Sequence, residues 1–238
     1  MDTQDTLQPQ VRPTASRPLL GMTILVVEDS RFTCETLRLM CLRSGARIRR
    51  ADCLASARRH LQVYRPSAAV IDMGLPDGSG LDLIAELSRA TPRVGVIIGL
   101  SGDDRAETEA LAAGADGFLG KPLDSLAQFQ ETVLSALPPA AVPAGPRSLT
   151  EEAVSPDRVA FRDDMSHVAA LLEQRQDGAT IDYVVQFLGG VARSARDYTL
   201  ERAASDLARS RCQGKTRHEK VARLMQMVHA RIESRAAI

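Results

Sequence analysis

Met22-Thr23-Ile24-Leu25-Val26-Val27, followed at once by Glu28-Asp29-Ser30, is the stretch on which the fold turns. An apolar run this short reads as a strand, and it ends on two adjacent carboxylates. The pattern recurs downstream. Ala68-Ala69-Val70-Ile71 stops at Asp72, Val94-Gly95-Val96-Ile97-Ile98-Gly99-Leu100 stops at Ser101, and Gly117-Phe118-Leu119-Gly120 stops at Lys121-Pro122. Helical stretches separate these runs, and strands that are apolar throughout belong to parallel sheets covered on both faces. The predicted fold class is therefore α/β. In open sheets of that kind ligands sit beyond the carboxyl ends of the strands, so Glu28, Asp29, Asp72, Ser101 and Lys121 are expected to converge on one acidic pocket.

Three carboxylates held together repel one another, so they share protons or bind a cation, and hard oxygen ligands favour Mg2+. Lys121 supplies one compensating positive charge. A hydroxyl, an ammonium and a divalent ion around one carboxylate can clamp a phosphoryl group, whose transfer depends on positioning and charge neutralisation. Taken singly, each residue has a plainer use: Asp29 or Ser30 could cap a helix beginning near Arg31, and Pro122 suits the first turn of a helix reaching Leu137.

The segment from about residue 21 to residue 137 resembles the receiver domain of two-component response regulators. The resemblance is carried by Val26-Val27-Glu28-Asp29-Ser30, Ile71-Asp72-Met73-Gly74-Leu75-Pro76-Asp77-Gly78-Ser79-Gly80, Leu100-Ser101-Gly102, Ala113-Gly114-Ala115-Asp116-Gly117-Phe118 and Lys121-Pro122-Leu123, in that order and spacing. It implies a doubly wound, five-stranded parallel, flavodoxin-like domain with Asp72 as nucleophile and phosphoacceptor. It also implies that Asp29 binds Mg2+ directly, Glu28 directly or through water, and that Asp72 and the backbone carbonyl of Gly74 complete the set. Lys121 would pair with Asp72 before transfer and with phosphoryl oxygens after it, and Ser101 would hydrogen-bond a phosphoryl oxygen. Phe118 stands at the position of the aromatic switch, without the hydroxyl of the commoner Tyr. Gly74 and Gly102 are small where many relatives carry larger side chains. Open space beside Asp72 would admit an attacking water or a partner's side chain, so an altered phosphate lifetime is expected.

The remaining composition narrows the setting. At 238 residues the chain can hold two modest domains. Thirty Lys plus Arg balance thirty Asp plus Glu, which gives no overall charge argument for nucleic acid or an anionic membrane. Cys34, Cys41, Cys53 and Cys212 lack metal-ligand spacing and read as buried or incidental thiols of a reducing compartment. No apolar run approaches a membrane span and Met1-Asp2-Thr3-Gln4-Asp5 does not open a signal peptide, so a cytoplasmic, soluble protein is expected. Residues 1–20 read as a disordered leader and 138–150, which contain Pro138-Pro139-Ala140-Ala141-Val142-Pro143-Ala144-Gly145-Pro146, as a linker.

Residues 151–238 show only helical periodicity. Phe161, Met165, Val168 and Leu172 form one apolar stripe, and Ile181, Val184, Val185, Leu188, Ala192 and Ala195 a second. Leu200, Ala203, Ala204 and Leu207 form a third, and Val221, Leu224, Met225, Val228 and Ile232 a fourth. Gly178, the pair Gly189-Gly190 inside the second stripe, and Gly214 punctuate them. An all-α domain, a four-helix bundle, is expected. Within it Gln186-Phe187-Leu188-Gly189-Gly190-Val191-Ala192 resembles the second helix of a histidine-phosphotransfer domain. Leu188, Gly190 and Ala192 match, but Gln186 stands at the His position and Gly189 at the Lys position. A Gln amide cannot accept a phosphoryl group, so the resemblance implies a degenerate phosphotransfer module. An ordinary bundle with an accidental match is the alternative. His167, in Asp163-Asp164-Met165-Ser166-His167-Val168, faintly resembles a kinase histidine box but lacks the acidic residue that usually follows.

The function these features imply is a response regulator that takes a phosphoryl group from the phospho-His of a sensor histidine kinase or phosphotransfer protein onto Asp72. It is a phosphoacceptor that promotes its own phosphorylation and dephosphorylation rather than an enzyme with a separate substrate. The face around residues 103–137 would shift between two populations and engage a downstream protein, with a homodimer left open. Two alternatives remain: a receiver-fold interaction protein that works without phosphorylation, and an atypical DNA-binding transcriptional regulator. The latter would need a basic recognition helix, and acidic residues interrupt the Arg- and Lys-rich stretch from Arg193 to Arg223.

Overall fold

A computed structural model describes residues 12–103, 105–139, 142, 154, 157–175, 177–210 and 217–234. Its first strand, β1 (Thr23–Val27), is buried on both faces. Ile24 and Val26 point into one layer of the core with Val70, Ile98 and Phe129, while Leu25 and Val27 point into the other with Ile71, Ile97 and Ile84. A strand covered on both sides has no use for polar alternation, and each fully buried Ile, Leu or Val contributes roughly 1.5–3 kcal/mol by leaving water.

The chain continues through α1 (Arg31–Ser44), β2 (Arg47–Ala51), α2 (Leu54–Val63), β3 (Ala68–Asp72), a small antiparallel pair β4 (Gly74–Leu75) and β5 (Gly78–Ser79), and α3 (Gly80–Arg89). Then follow β6 (Val96–Ser101), α4 (Ala106–Ala113), β7 (Gly117–Gly120) and α5 (Leu126–Ser135). The five-stranded sheet is parallel, in the order β2-β1-β3-β6-β7. The order reverses between β1 and β3, which places the switch point of a doubly wound sheet directly above Glu28, Asp29 and Asp72.

Four helices follow among the described residues: α6 (Arg158–Gln174), α7 (Gly178–Ser194), α8 (Tyr198–Ser210) and α9 (Arg217–Glu233). Each of the four predicted stripes falls on one of them. Met165, Val168, Leu188, Leu207 and Val228 meet in a common apolar cluster. Phe32, from the first turn of α1, belongs to that cluster too, its ring edge-on to Phe161 at 5.9 Å. The two apolar regions therefore meet along α1, which packs on both α6 and α7.

Several expectations change. The leader expected over residues 1–20 does not extend to Leu19, which is fully buried in the core of the α/β region and donates its N–H to the Ser44 carbonyl. Residues 1–11 lie outside the described residues, as do Cys212, Gly214 and residues 140, 141 and 143–150 of the expected linker. Val154, placed with the helical region by its position in sequence, is buried in the core of the α/β region instead. Pro122 is not in the first turn of α5, because Ser125 caps that helix by accepting from the Gln128 N–H and the helix starts at Leu126. The cap expected before α1 is present, with Ser30 Oγ accepting from Thr33 N–H at 3.0 Å. Cys34 and Cys41 are buried thiols and Cys53 is partly exposed. No helix among the described residues is long and apolar enough to cross a membrane.

Candidate functional site

Each pocket residue is delivered by the end of a strand, and parallel register brings those ends level. Val27 pairs with Ile71, Asp72 with Leu100, and Ser101 with Gly120. The carboxylates of Glu28, Asp29 and Asp72 consequently present oxygens within 4.8 Å of one another. Lys121 Nζ lies 2.7 Å from Glu28 Oε2 and 2.7 Å from Asp72 Oδ1, and all three side chains are almost wholly buried. Asp72 Oδ2 accepts from the Gly74 N–H at 3.0 Å, and Glu28 Oε1 from the Ser30 N–H at 3.1 Å.

Burial dominates the electrostatics. It pushes Glu28 well above the usual carboxylate range, with Lys121 pulling back and Asp72 and Asp29 adding repulsion. Asp29 is pushed up to about 6, again chiefly by burial, with the Tyr183 hydrogen bond acting against it and Asp72 adding to it. Lys121 also loses solvent, but Asp72 and Glu28 more than compensate and hold its ammonium above the ordinary lysine range. One ammonium against three clustered carboxylates leaves a negative pocket made of hard oxygen donors. Such a pocket fits a divalent cation of the Mg2+ type.

Ser101 and Phe118 complete the predicted set. Ser101 is partly exposed at the cavity edge, its hydroxyl accepting from the Asp103 N–H at 3.1 Å. Phe118 is partly buried and packs inward against the apolar layer that contains Ala110. Thus Glu28, Asp29, Asp72, Gly74, Ser101 and Lys121 are brought to one place, with Phe118 on β7, the strand that leads into Lys121.

The helical region also reaches this pocket. A cavity of ≈ 490 Å3 is lined by Asp72, Gly74, Ser101 and Lys121 on one side and by Gln186 and Arg193 of α7 on the other. Tyr183 donates its hydroxyl to Asp29 Oδ2 at 2.6 Å, and Arg193 Nη1 donates to the Gly102 carbonyl. Asp164 of α6 is buried and accepts from Ser30 Oγ, Arg31 N–H and Phe32 N–H. His167 stays exposed, its ring edge-on to Tyr183 and Phe187 in a separate groove beside Asp29.

Tyr183, Arg193 and Asp164 were not expected from sequence. For Asp164 a signal existed. It sits three residues after Phe161 and next to Met165, on the apolar stripe itself, where an unpaired carboxylate would be costly. Tyr183 and Arg193 carry no comparable mark.

A family model agrees with this geometry, and the chain is similar to several known proteins. The family model described as "Response regulator receiver domain" matches residues 24–133. The transcriptional regulatory protein CitB of Klebsiella pneumoniae is 29% identical over 205 residues, covering 78% of this chain and 87% of that protein. The KDP operon transcriptional regulatory protein KdpE of Escherichia coli is 29% identical over 99 residues, covering 42% of this chain. The matched part is 44% of KdpE, so the chain spans less than half the length of that relative. Among solved structures, the receiver domain of sensor histidine kinase PA1611 from Pseudomonas aeruginosa PAO1, with a magnesium ion coordinated in its active-site cleft, is 27% identical. It covers 48% of this chain and 96% of its own, with a TM-score of 0.44. Residues 24–133 of this chain are a response regulator receiver domain.

Proposed function

We propose that the protein is a two-component response regulator that accepts a phosphoryl group on Asp72 and signals through protein contacts. The observation that carries this reading is Lys121, whose one ammonium bridges Glu28 and Asp72 at 2.7 Å each, with Asp29 alongside. Glu28, Asp29, Asp72 and the Gly74 carbonyl would hold Mg2+, which supplies neutralising charge next to the phosphoryl oxygens. Asp72 is held by two contacts, Lys121 on Oδ1 and the Gly74 N–H on Oδ2. As a carboxylate oxygen of Asp72 bonds to phosphorus and the donor's P–N bond breaks, Lys121 is free to exchange a carboxylate partner for a phosphoryl oxygen. Ser101 stands at the cavity edge to donate its hydroxyl to another. The donor is the phospho-His of a sensor histidine kinase or phosphotransfer protein.

The helical region is assigned as a phosphotransfer-like bundle without its His. Support comes from Gln186, which occupies the family's His position and lines the same cavity as Asp72. A phosphotransfer His must visit that place on a receiver, and here the chain's own α7 occupies it. The region from β1 to α5, with Leu19 and Val154 packed into its core, is assigned as the receiver, and α6 to α9 as the helical domain.

A test uses Mg2+ and radiolabelled acetyl phosphate on the full chain. Wild type is expected to take up acid-stable, base-labile label, and Asp72→Asn none. Equal labelling of the two proteins would refute the Asp72 assignment.

One observation favours a second reading, a DNA-binding transcriptional regulator. The similarity to CitB extends past the receiver into the helical region. Against it, Arg193 and Arg231 are committed to Glu201 and Asp197 within the helices, and Arg196 to Asp124 of the receiver. Duplex DNA binding that weakens steeply with salt and strengthens at one sequence would establish this reading instead.

A further inference from the structure

α7 lies across the mouth of the phosphoacceptor pocket, and its residues there recur at helical spacing. Tyr183, Gln186, Gly190 and Arg193 follow one another at three, four and three residues, so they share one face. The first and last are fastened to the receiver, Tyr183 by its hydroxyl on Asp29 and Arg193 by its guanidinium on the Gly102 carbonyl. Between them Val184, Leu188 and Val191 are buried in the helical cluster and fix the helix from behind. Gln186 is thus held between two anchors.

The receiver is shaped to admit it. A Cβ on Gly74 would overlap the Gln186 amide, and the three nearest heavy atoms to that Cβ all belong to Gln186. A Cβ on Gly102 would come within 2.9 Å of Arg193 Nη1. The two glycines that stand where many receivers carry larger side chains are therefore the two positions under the side chains of α7. Gly74 is two residues from Asp72 and donates its N–H to the Asp72 carboxylate, which puts the Gln186 amide beside the place where a phosphoryl group would be attached.

Space for a reactant remains. Gly189 and Gly190 line the same cavity, and a Cβ on either would meet nothing within 4 Å. Gln186 itself is exposed, so water reaches its amide. An amide carries an acceptor and a donor on one planar group. It cannot take the phosphoryl group, but it can accept a hydrogen bond from a water and donate one to a phosphoryl oxygen, which is how a Gln orients an attacking water in other phosphoryl transfers.

We propose that Gln186 orients the water that hydrolyses phospho-Asp72, so that the helical region serves as a built-in phosphatase arm of its own receiver. This rests on the reading of Asp72 as phosphoacceptor. In the step, the water oxygen bonds to phosphorus as the bond from phosphorus to the Asp72 oxygen breaks. The carboxylate leaves with the electron pair, and both water hydrogens stay with the released dihydrogen phosphate. The Gln186 amide is unchanged throughout.

The test loads the full-length wild type, Gln186→Ala, Gly74→Ala and the double variant with labelled acetyl phosphate, removes the donor, and follows loss of label. If neither wild type nor Gln186→Ala takes up label, the Asp72 reading has failed before the inference is reached, whereas label on Gln186→Ala but not on wild type supports both. With label on all four, Gln186→Ala is expected to prolong the half-life about tenfold or more, the scale of losing one positioned group. Gly74→Ala should do the same by displacing the amide. The double variant should match either single one, because both remove the same contact. An unchanged or shortened half-life in Gln186→Ala, or additive effects in the double variant, would overturn the proposal.

Discussion

Replacing Lys121 with Met is expected to cost roughly 3–5 kcal/mol of stability in metal-free buffer, the usual penalty for removing one partner from a buried ion pair. The Lys121 side chain is only 7% exposed, and its ammonium is 2.7 Å from both Glu28 and Asp72. Without it three carboxylates face one another with no countercharge. Glu28 is already held well above the usual range by burial, with Lys121 the largest influence opposing that rise. Removing the lysine takes it higher still. A carboxyl whose pKa is raised in the folded state takes up a proton on folding. The deficit of the variant should therefore be smallest in acid, below the ordinary carboxylate range, and should grow as pH rises through the raised value. Mg2+ should recover part of the loss, since a cation that binds only the folded pocket stabilises it by mass action. Urea titrations of both proteins, at two pH values and with Mg2+ or EDTA, measure all three effects. A deficit independent of pH and of Mg2+ would show that Lys121 contributes packing rather than charge. Labelling of the variant from acetyl phosphate should also fall sharply, because the phosphoryl oxygens lose their ammonium.

What the chain reveals before folding follows from how local each signal is. Glu28, Asp29, Asp72, Ser101 and Lys121 were legible because each ends a run that is apolar on both faces. A parallel sheet can only bring such ends together. The edge strand β2 was not legible: its sequence Arg-Ile-Arg-Arg-Ala is mostly exposed and has no apolar run to mark it. The four helices of the second region announced themselves through their stripes, whereas their docking did not. Docking depends on side chains more than a hundred residues apart, such as Tyr183 with Asp29 and Asp164 with Ser30. Gly74 and Gly102 fall between these cases. Their smallness was visible in the sequence, but what fills the space became apparent only with α7 in place. The sequence alone suggests room beside Asp72 for a water or a partner's side chain, but Gln186 and Arg193, side chains of the same molecule, stand there.

Asp164 makes three of the hydrogen bonds that hold the helical region on the receiver, and Asp164→Ala should weaken that docking while both stay folded. Asp164 Oδ1 accepts from the Arg31 N–H at 2.8 Å, and Oδ2 from Ser30 Oγ at 2.8 Å and the Phe32 N–H at 3.1 Å. A carboxylate from α6 thus caps the first turn of α1 from outside. Ser30 Oγ keeps its own bond to the Thr33 N–H, so α1 retains a local cap without Asp164. Arg31 and Phe32 would be left with unsatisfied donors at the interface, where their unanswered polarity disfavours contact; on separation, water satisfies them. Three hydrogen bonds to an ionised group, offset by the desolvation that raises the pKa of Asp164, amount to a net loss of roughly 2–4 kcal/mol. That shifts the balance of docked and undocked forms by about thirtyfold to a thousandfold. Amide exchange should accelerate at Arg31, Phe32 and the face of α7 around Gln186, while the β1 and β3 amides stay protected. Small-angle scattering should report a larger radius of gyration. Because Gln186 leaves the pocket with α7, phospho-Asp72 in this variant should be as long-lived as in Gln186→Ala. If exchange and scattering show release but the phosphate lifetime stays that of wild type, then α7 holds the receiver without acting on its phosphate.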